Sequence, residues 1–239
     1  MSKTKIITVL LLRIFLFVFS FLSLSLLLNS SLSQVGRWWA IVCSVCNLIT
    51  LFVIFKLTRS QNITYKQLIN YHQYQSSYRA ILIGVILILV IGMGGMFFAG
   101  YIVYGEFPYL AKDLIEPLPV WLAILNIFIL PLSTTLAEDG LYLGIGVNQL
   151  SNRWIGLLIP ALLYALQHSF IPLYFDMYYM LYRFLSFLPL TLLICLWYQK
   201  NHNPVPIMVG HFIINLATVV QILIMSSNPE IFYSLVILV

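Results

Sequence analysis

Charge is what this sequence has least of. Its 239 residues hold 12 Lys/Arg and 7 Asp/Glu, 8% of the chain, against 62% hydrophobic residues. A soluble globular domain carries about 25% charged residues. So little charge excludes a water-facing exterior for a chain of this size, and a lipid-facing one removes the need for it. The formal charge is +5, yet no block of Lys/Arg interleaved with aromatics occurs, which excludes a nucleic-acid partner. Cysteine is nearly absent too. Cys43 and Cys46 form a lone C-x-x-C within an apolar run and Cys195 stands apart. With no second C-x-x-C, packing is the expected role rather than redox or metal chemistry. No A-x-A-like site follows the first apolar run, Ile6 to Leu28, which is also too long for a signal peptide and is expected to be a retained span. There is no internal repeat and no low-complexity segment.

What the sequence has in abundance is long apolar runs, and its mean hydropathy is +0.99. Runs long enough to span a bilayer fall at about 6–28, 38–57, 80–104, 120–150, 154–171, 178–198 and 204–225. A short tail, 229–239, is too brief to cross alone. The expected fold class is all-α: a polytopic membrane helix bundle of seven or eight transmembrane helices in one membrane domain. Residues 1–104 form its N-terminal spans and 120–225 its core. The 120–150 run is long for one span and is expected to be broken, tilted or extended.

Loop charges predict the orientation. Lys3, Lys5, Lys56, Arg59, Lys66, Arg79, Arg153 and Lys200 fall on one side, and Glu106, Asp113, Glu116, Asp176 and Glu230 on the other. Arg37 and Lys112 are exceptions. The bias predicts a cytoplasmic N-terminus in a plasma membrane, with a bacterial setting expected. The polar linker 58–79 reads as cytoplasmic, with His72 solvated in it. Membrane lipids are the expected surroundings, and nothing in the sequence sets an oligomeric state.

Seven acidic residues exist, and two of them, Glu138 and Asp139, lie side by side inside an apolar run. An Asp at a helix centre in hydrocarbon costs about 2.5–3.5 kcal/mol on insertion scales, so such a pair persists where water or partners solvate it. His168 lies in another run, and His211 and Asn215 in a third, four residues apart and hence on one helical face. A carboxylate can take a proton from water, a histidine can relay one, and a histidine with an amide can steady an oxyanion. Together they suit attack of water on a carbonyl. Each signal alone has a plainer reading: the histidines and the His–Asn pair as interhelical hydrogen bonds, the acids as a proton or ion site of a transporter.

The order and spacing of these residues resemble the CAAX protease and bacteriocin-processing (Abi) family of intramembrane proteases. Its first motif, Glu-Glu-x-x-x-Arg, matches Glu138-Asp139-Gly140-Leu141-Tyr142-Leu143. The second, an aromatic residue followed four positions later by His, matches Tyr164 and His168. The third, His-x-x-x-Asn, matches His211 and Asn215, preceded by Asn203-Pro204 and Pro206. The resemblance spans roughly 120–220. It implies hydrolysis of a peptide bond in a peptide or membrane-protein substrate. Glu138 would be general base, His168 its partner, His211 and Asn215 the oxyanion stabilisers, and Asp139 a supporting acid. It leaves a metal open: Glu138, His168 and His211 would be the ligands of a Zn2+ ion, although no H-E-x-x-H is present and the expectation is that no cofactor is required. Leu143 stands where the motif has arginine. That departure keeps alive a non-catalytic role, in bacteriocin self-immunity or membrane regulation. It also leaves Arg153 and Arg183 as candidate substitute cations, with no place assigned to either.

Overall fold

In a computed structural model, the chain folds as a bundle of helices, with no strand among the described residues, which are 1–72, 76–109 and 111–237. Helices α1 (Lys3–Leu27), α3 (Trp39–Ser60), α5 (Tyr78–Tyr104), α8 (Met177–Asn201) and α9 (Val205–Ser227) are the long ones. Short helices α2 (Leu32–Val35) and α4 (Tyr65–Leu68) sit between them, and α10 (Pro229–Ile237) ends the described chain. α6 (Val120–Thr134) runs without a break into a π-helix over Thr135–Val147, and α7 (Arg153–His168) follows. Six helical stretches are long and apolar enough to cross a membrane, with α6 and the π-helix counting as one. The shortest of the expected spans is the 154–171 run. Its helix, α7, has 16 residues, about 24 Å at 1.5 Å per residue, short of a hydrocarbon core of about 30 Å.

The helix ends gather in two groups. At one end, the Asn148 amide donates to Leu68 O at 2.8 Å and to the Tyr198 hydroxyl at 2.6 Å, and Gln199 donates to Arg153 O at 2.8 Å. At the other, Trp39 Nε1 donates to Leu114 O at 3.2 Å and Leu118 N to Ser226 Oγ at 2.9 Å. The chain therefore threads up and down as the loop charges predict. Part of the polar linker is not free in solution. α4 docks on the π-helix, where a Cβ at Gly140 would fall 2.8 Å from the Tyr65 ring. Tyr65 also donates from its hydroxyl to Leu136 O at 2.6 Å. Burial pushes the Tyr65 phenol up, so it remains a neutral donor. His72 is exposed, as expected, and linker residues 73–75 lie outside the described set, as do 238–239 of the tail.

The long fourth run is neither broken nor cut short. It is rewound. Pro131 lies inside α6, has no N–H to offer the preceding turn, and leaves that turn's carbonyl without its partner. Four residues on, the ladder widens from i→i+4 to i→i+5 for 13 residues. π-turns of even one bulge are uncommon and concentrate at functional sites. Nearly every side chain of this segment is buried, including Glu138 and Asp139.

Candidate active site

The π-helix turns Glu138 and Asp139 into the bundle, where both are almost wholly enclosed, at 3% and 0% exposure. The two oxygens of Glu138 have different fates. Oε1 accepts from Arg13 Nη2 at 2.8 Å and from Gln167 Nε2 at 3.0 Å. Oε2 is buried with no hydrogen-bond partner, and His211 Nε2 lies 3.6 Å from it. A buried acceptor left open in this way is costly unless a ligand or water completes it.

Arg13 is the residue that sequence reasoning missed. It sits in the middle of α1, 2% exposed, and spends its donors on four partners. Nε donates to Gln167 Oε1 at 2.6 Å, Nη1 to Thr50 Oγ1 at 2.7 Å, and Nη2 to Asn47 Oδ1 at 2.6 Å as well as to Glu138. Its signal was present: an arginine in an apolar run of more than 20 residues is by default a functional hypothesis in need of a partner. The expected substitute cations are thereby corrected. Arg153 is exposed at the start of α7, and the Arg183 guanidinium rests 5.0 Å from the Phe187 ring centre with no carboxylate at ion-pair distance among the described residues. Leu143 is buried in an apolar cluster with Ile88, Leu190 and Ile194. The cation thus arrives from α1 and not from position 143. The N-terminal spans thus take part in the site, since α1 pairs with the carboxylate through Arg13 and α3 holds Arg13 through Asn47 and Thr50.

The histidines are oriented by definite partners. His168 Nδ1 lies 2.9 Å from Tyr164 O. A carbonyl can only accept, so Nδ1 carries the hydrogen and Nε2 keeps its lone pair. The ring stacks on Phe187 at 3.5 Å between centroids. His211 Nδ1 faces Asp139 Oδ1 at 3.2 Å and the Tyr164 hydroxyl at 3.3 Å. Asp139 thus holds the His211 ring, and its Oδ2 has no partner. Asn215 donates its amide back to His211 O at 2.9 Å and is half-buried beside it. Span boundaries place His168 and His211 at different depths, but the fold brings both rings alongside Tyr164, with centroids 6.0 and 6.3 Å from it.

Glu138, His168, His211 and Asn215 all line one cavity of about 330 Å³, whose remaining wall is largely apolar and includes Met96, Leu190 and Ile214. Cys43 also borders it, and all three cysteines are free and buried, in keeping with a packing role. No group of three His, Cys, Asp or Glu among the described residues is arranged to hold a metal ion. One oxygen of Glu138 is already committed to a guanidinium and an amide.

With this geometry in place, comparison with known families is informative. Residues 118–217 match the family described as Type II CAAX prenyl endopeptidase Rce1-like. Over this stretch the chain is similar to that family of CAAX endopeptidases. The matched core runs from the start of α6 through the π-helix, α7 and α8 into α9. It holds Glu138, Asp139, His168, His211 and Asn215. Arg13, Asn47 and Thr50 lie outside it, on the spans that the core does not include. No curated protein and no solved structure matches the chain.

Proposed function

We propose that this multi-pass membrane protein is an intramembrane endopeptidase that hydrolyses a peptide bond with water activated by Glu138. The observation that carries the reading is the divided carboxylate. One oxygen is clamped by Arg13 and Gln167, and the other is buried, open and directed at the cavity lined by His168 and His211. A water bound between Glu138 Oε2 and the His168 Nε2 lone pair would be aligned and polarised. Its oxygen attacks the scissile carbonyl carbon while its proton passes to Glu138. The carbon–nitrogen bond then breaks as Glu138 returns that proton to the leaving amine. The oxyanion formed in between is stabilised by the His211 and Asn215 side of the cavity, with Asp139 holding His211 in place.

No resident metal is needed in this scheme, and the commitment of Glu138 Oε1 to Arg13 supports that. The same ion pair weighs against a purely non-catalytic role, which rested on Leu143. A plasma membrane with the N-terminus on the cytoplasmic side is the orientation favoured by the basic loops. The test is cleavage of a peptide library by the protein in proteoliposomes. Glu138→Gln is expected to lose at least about 100-fold in rate, the lower range for a positioned general base. Equal cleavage by both proteins would remove the assignment.

A further inference from the structure

Tyr164 touches both histidines and Asp139, yet the hydrolytic scheme gives it no task. It is 2% exposed, borders the cavity, and its ring lies nearly parallel to that of Tyr142 with centroids 4.3 Å apart. Its carbonyl already fixes the proton of His168, through Nδ1 at 2.9 Å. Its hydroxyl sits between Asp139 and His211, 3.4 Å from Asp139 Oδ1 and 3.3 Å from His211 Nδ1, and those two atoms are 3.2 Å apart. The three atoms form a triangle, and donor counting assigns its hydrogens. A carboxylate oxygen only accepts, so the short Nδ1–Oδ1 edge needs a hydrogen on Nδ1. Nδ1 then has no lone pair to offer the hydroxyl, and the single hydroxyl hydrogen goes to Oδ1. A phenylalanine at this position would keep the ring stack and supply no such bond.

We propose that Tyr164 is a positioning residue for the hydrolysis: its hydroxyl, by binding Asp139 Oδ1, holds the Asp139–His211 pair so that His211 presents Nε2 to the cavity and to Glu138. The proposal rests on the endopeptidase reading for its effect on rate, though not for the placement of His211. Nε2 lies 3.6 Å from Glu138 Oε2, beside the water site. The hold on His211 is only as firm as Tyr164 itself. Stacking on Tyr142 fixes the Tyr164 ring, and Tyr142 is fixed in turn by donating its hydroxyl to Gln167 Oε1 at 3.0 Å. Gln167 donates to Glu138 Oε1 at 3.0 Å. The stacked rings therefore join two hydrogen-bonded sets, one that clamps Glu138 and one that aims His211. Reacting groups have to be held within about 0.5 Å and about 10–20° of the productive geometry. With one side of its triangle removed, His211 samples ring orientations outside that tolerance.

The test is Tyr164→Phe on the full chain in lipid. The substitution keeps the ring, the stack and the carbonyl that orients His168, and it removes one O–H. Steady-state cleavage should show kcat down by about tenfold with KM within about twofold, the pattern of a group that serves the transition state and not binding. In the Asp139→Asn background the same change should cost less than about threefold, because the anchor it acts through is already weakened. Losses that multiply across the cycle, or a Tyr164→Phe protein that cleaves like wild type, would overturn the proposal. A second readout needs no cleavage. Solid-state NMR of protein carrying nitrogen-15 histidine, assigned by the signals lost in His211→Gln, should show hydrogen on His211 Nδ1 in the wild type. That Nδ1 signal should shift or divide in Tyr164→Phe. An unchanged signal would overturn the proposal. So would an Nδ1 without hydrogen in the wild type, even where Tyr164→Phe fails to fold. If no peptide is cleaved but the Nδ1 signal responds as expected, the endopeptidase reading fails and the placement of His211 by Tyr164 stands.

Discussion

Replacing Arg13 with leucine removes four side-chain hydrogen-bond partners and the counter-ion of Glu138 in one step. Breaking a buried ion pair from one side costs about 3–5 kcal/mol, most of it the penalty of the charge left behind. That origin makes a sharper prediction than simple loss of stability. In the Glu138→Gln background no charge is left behind, so the same Arg13→Leu change should cost distinctly less. The two substitutions should be coupled by at least about 1 kcal/mol, within the range seen for contacting residues. For a chain of this size each 1 kcal/mol corresponds to about 2–4 °C in melting temperature. Arg13→Leu alone is therefore expected to lower the midpoint by about 6–20 °C, and the double variant should recover several degrees of that. The assay is thermal unfolding of the four proteins of the cycle in one detergent, paired with peptide cleavage by wild type and Arg13→Leu. Additive losses across the cycle, or an Arg13→Leu protein that melts and cleaves like wild type, would refute the role given to this ion pair.

Three further outcomes follow from the same structure. Gly140→Ala should destabilise by about 1–3 kcal/mol, as overpacking does, because its Cβ would meet the Tyr65 ring at 2.8 Å. Thermal unfolding checks this, and Tyr65→Ala in the same background should relieve it. Asp139→Asn weakens the hold on His211 Nδ1, so it should lower kcat by about tenfold or more with little change in KM, measured by steady-state cleavage. Incubation with a strong zinc chelator should leave the cleavage rate unchanged, since the proposed scheme runs without a metal, and a loss restored by added Zn2+ would contradict that reading.

The bundle and the core residues of the site were legible in the sequence because hydrocarbon makes polar side chains conspicuous. Glu138, Asp139, His168, His211 and Asn215 stand out against their runs, and the fold gathers them around Tyr164 as their spacing suggests. Three things were not legible, each for a physical reason. The π-helix leaves no period that separates it from an α-helix once every face is buried. Helix α7 is short because its run extends past His168 into turns that are apolar but not helical. The counter-ion of Glu138 could not be found by looking near Leu143, because pairing in three dimensions ignores sequence distance. Arg13 was visible as an oddity of the first span, and the position of its partner was not.

The separation of that pair carries a consequence for how the protein is made. Arg13 and Glu138 are 125 residues apart, and the first span leaves the ribosome long before the fourth. An arginine near a helix centre is penalised by about 2.5–3.5 kcal/mol at insertion. The high hydropathy of α1, averaging 2.5 over its best window, outweighs this and lets the helix integrate alone. Until the π-helix and α7 arrive, Arg13 has only Asn47 and Thr50 of α3 to satisfy it. The first two spans thus enter the bilayer as a prepared socket, and closure of that socket by Glu138 and Gln167 couples completion of the candidate site to completion of the membrane bundle.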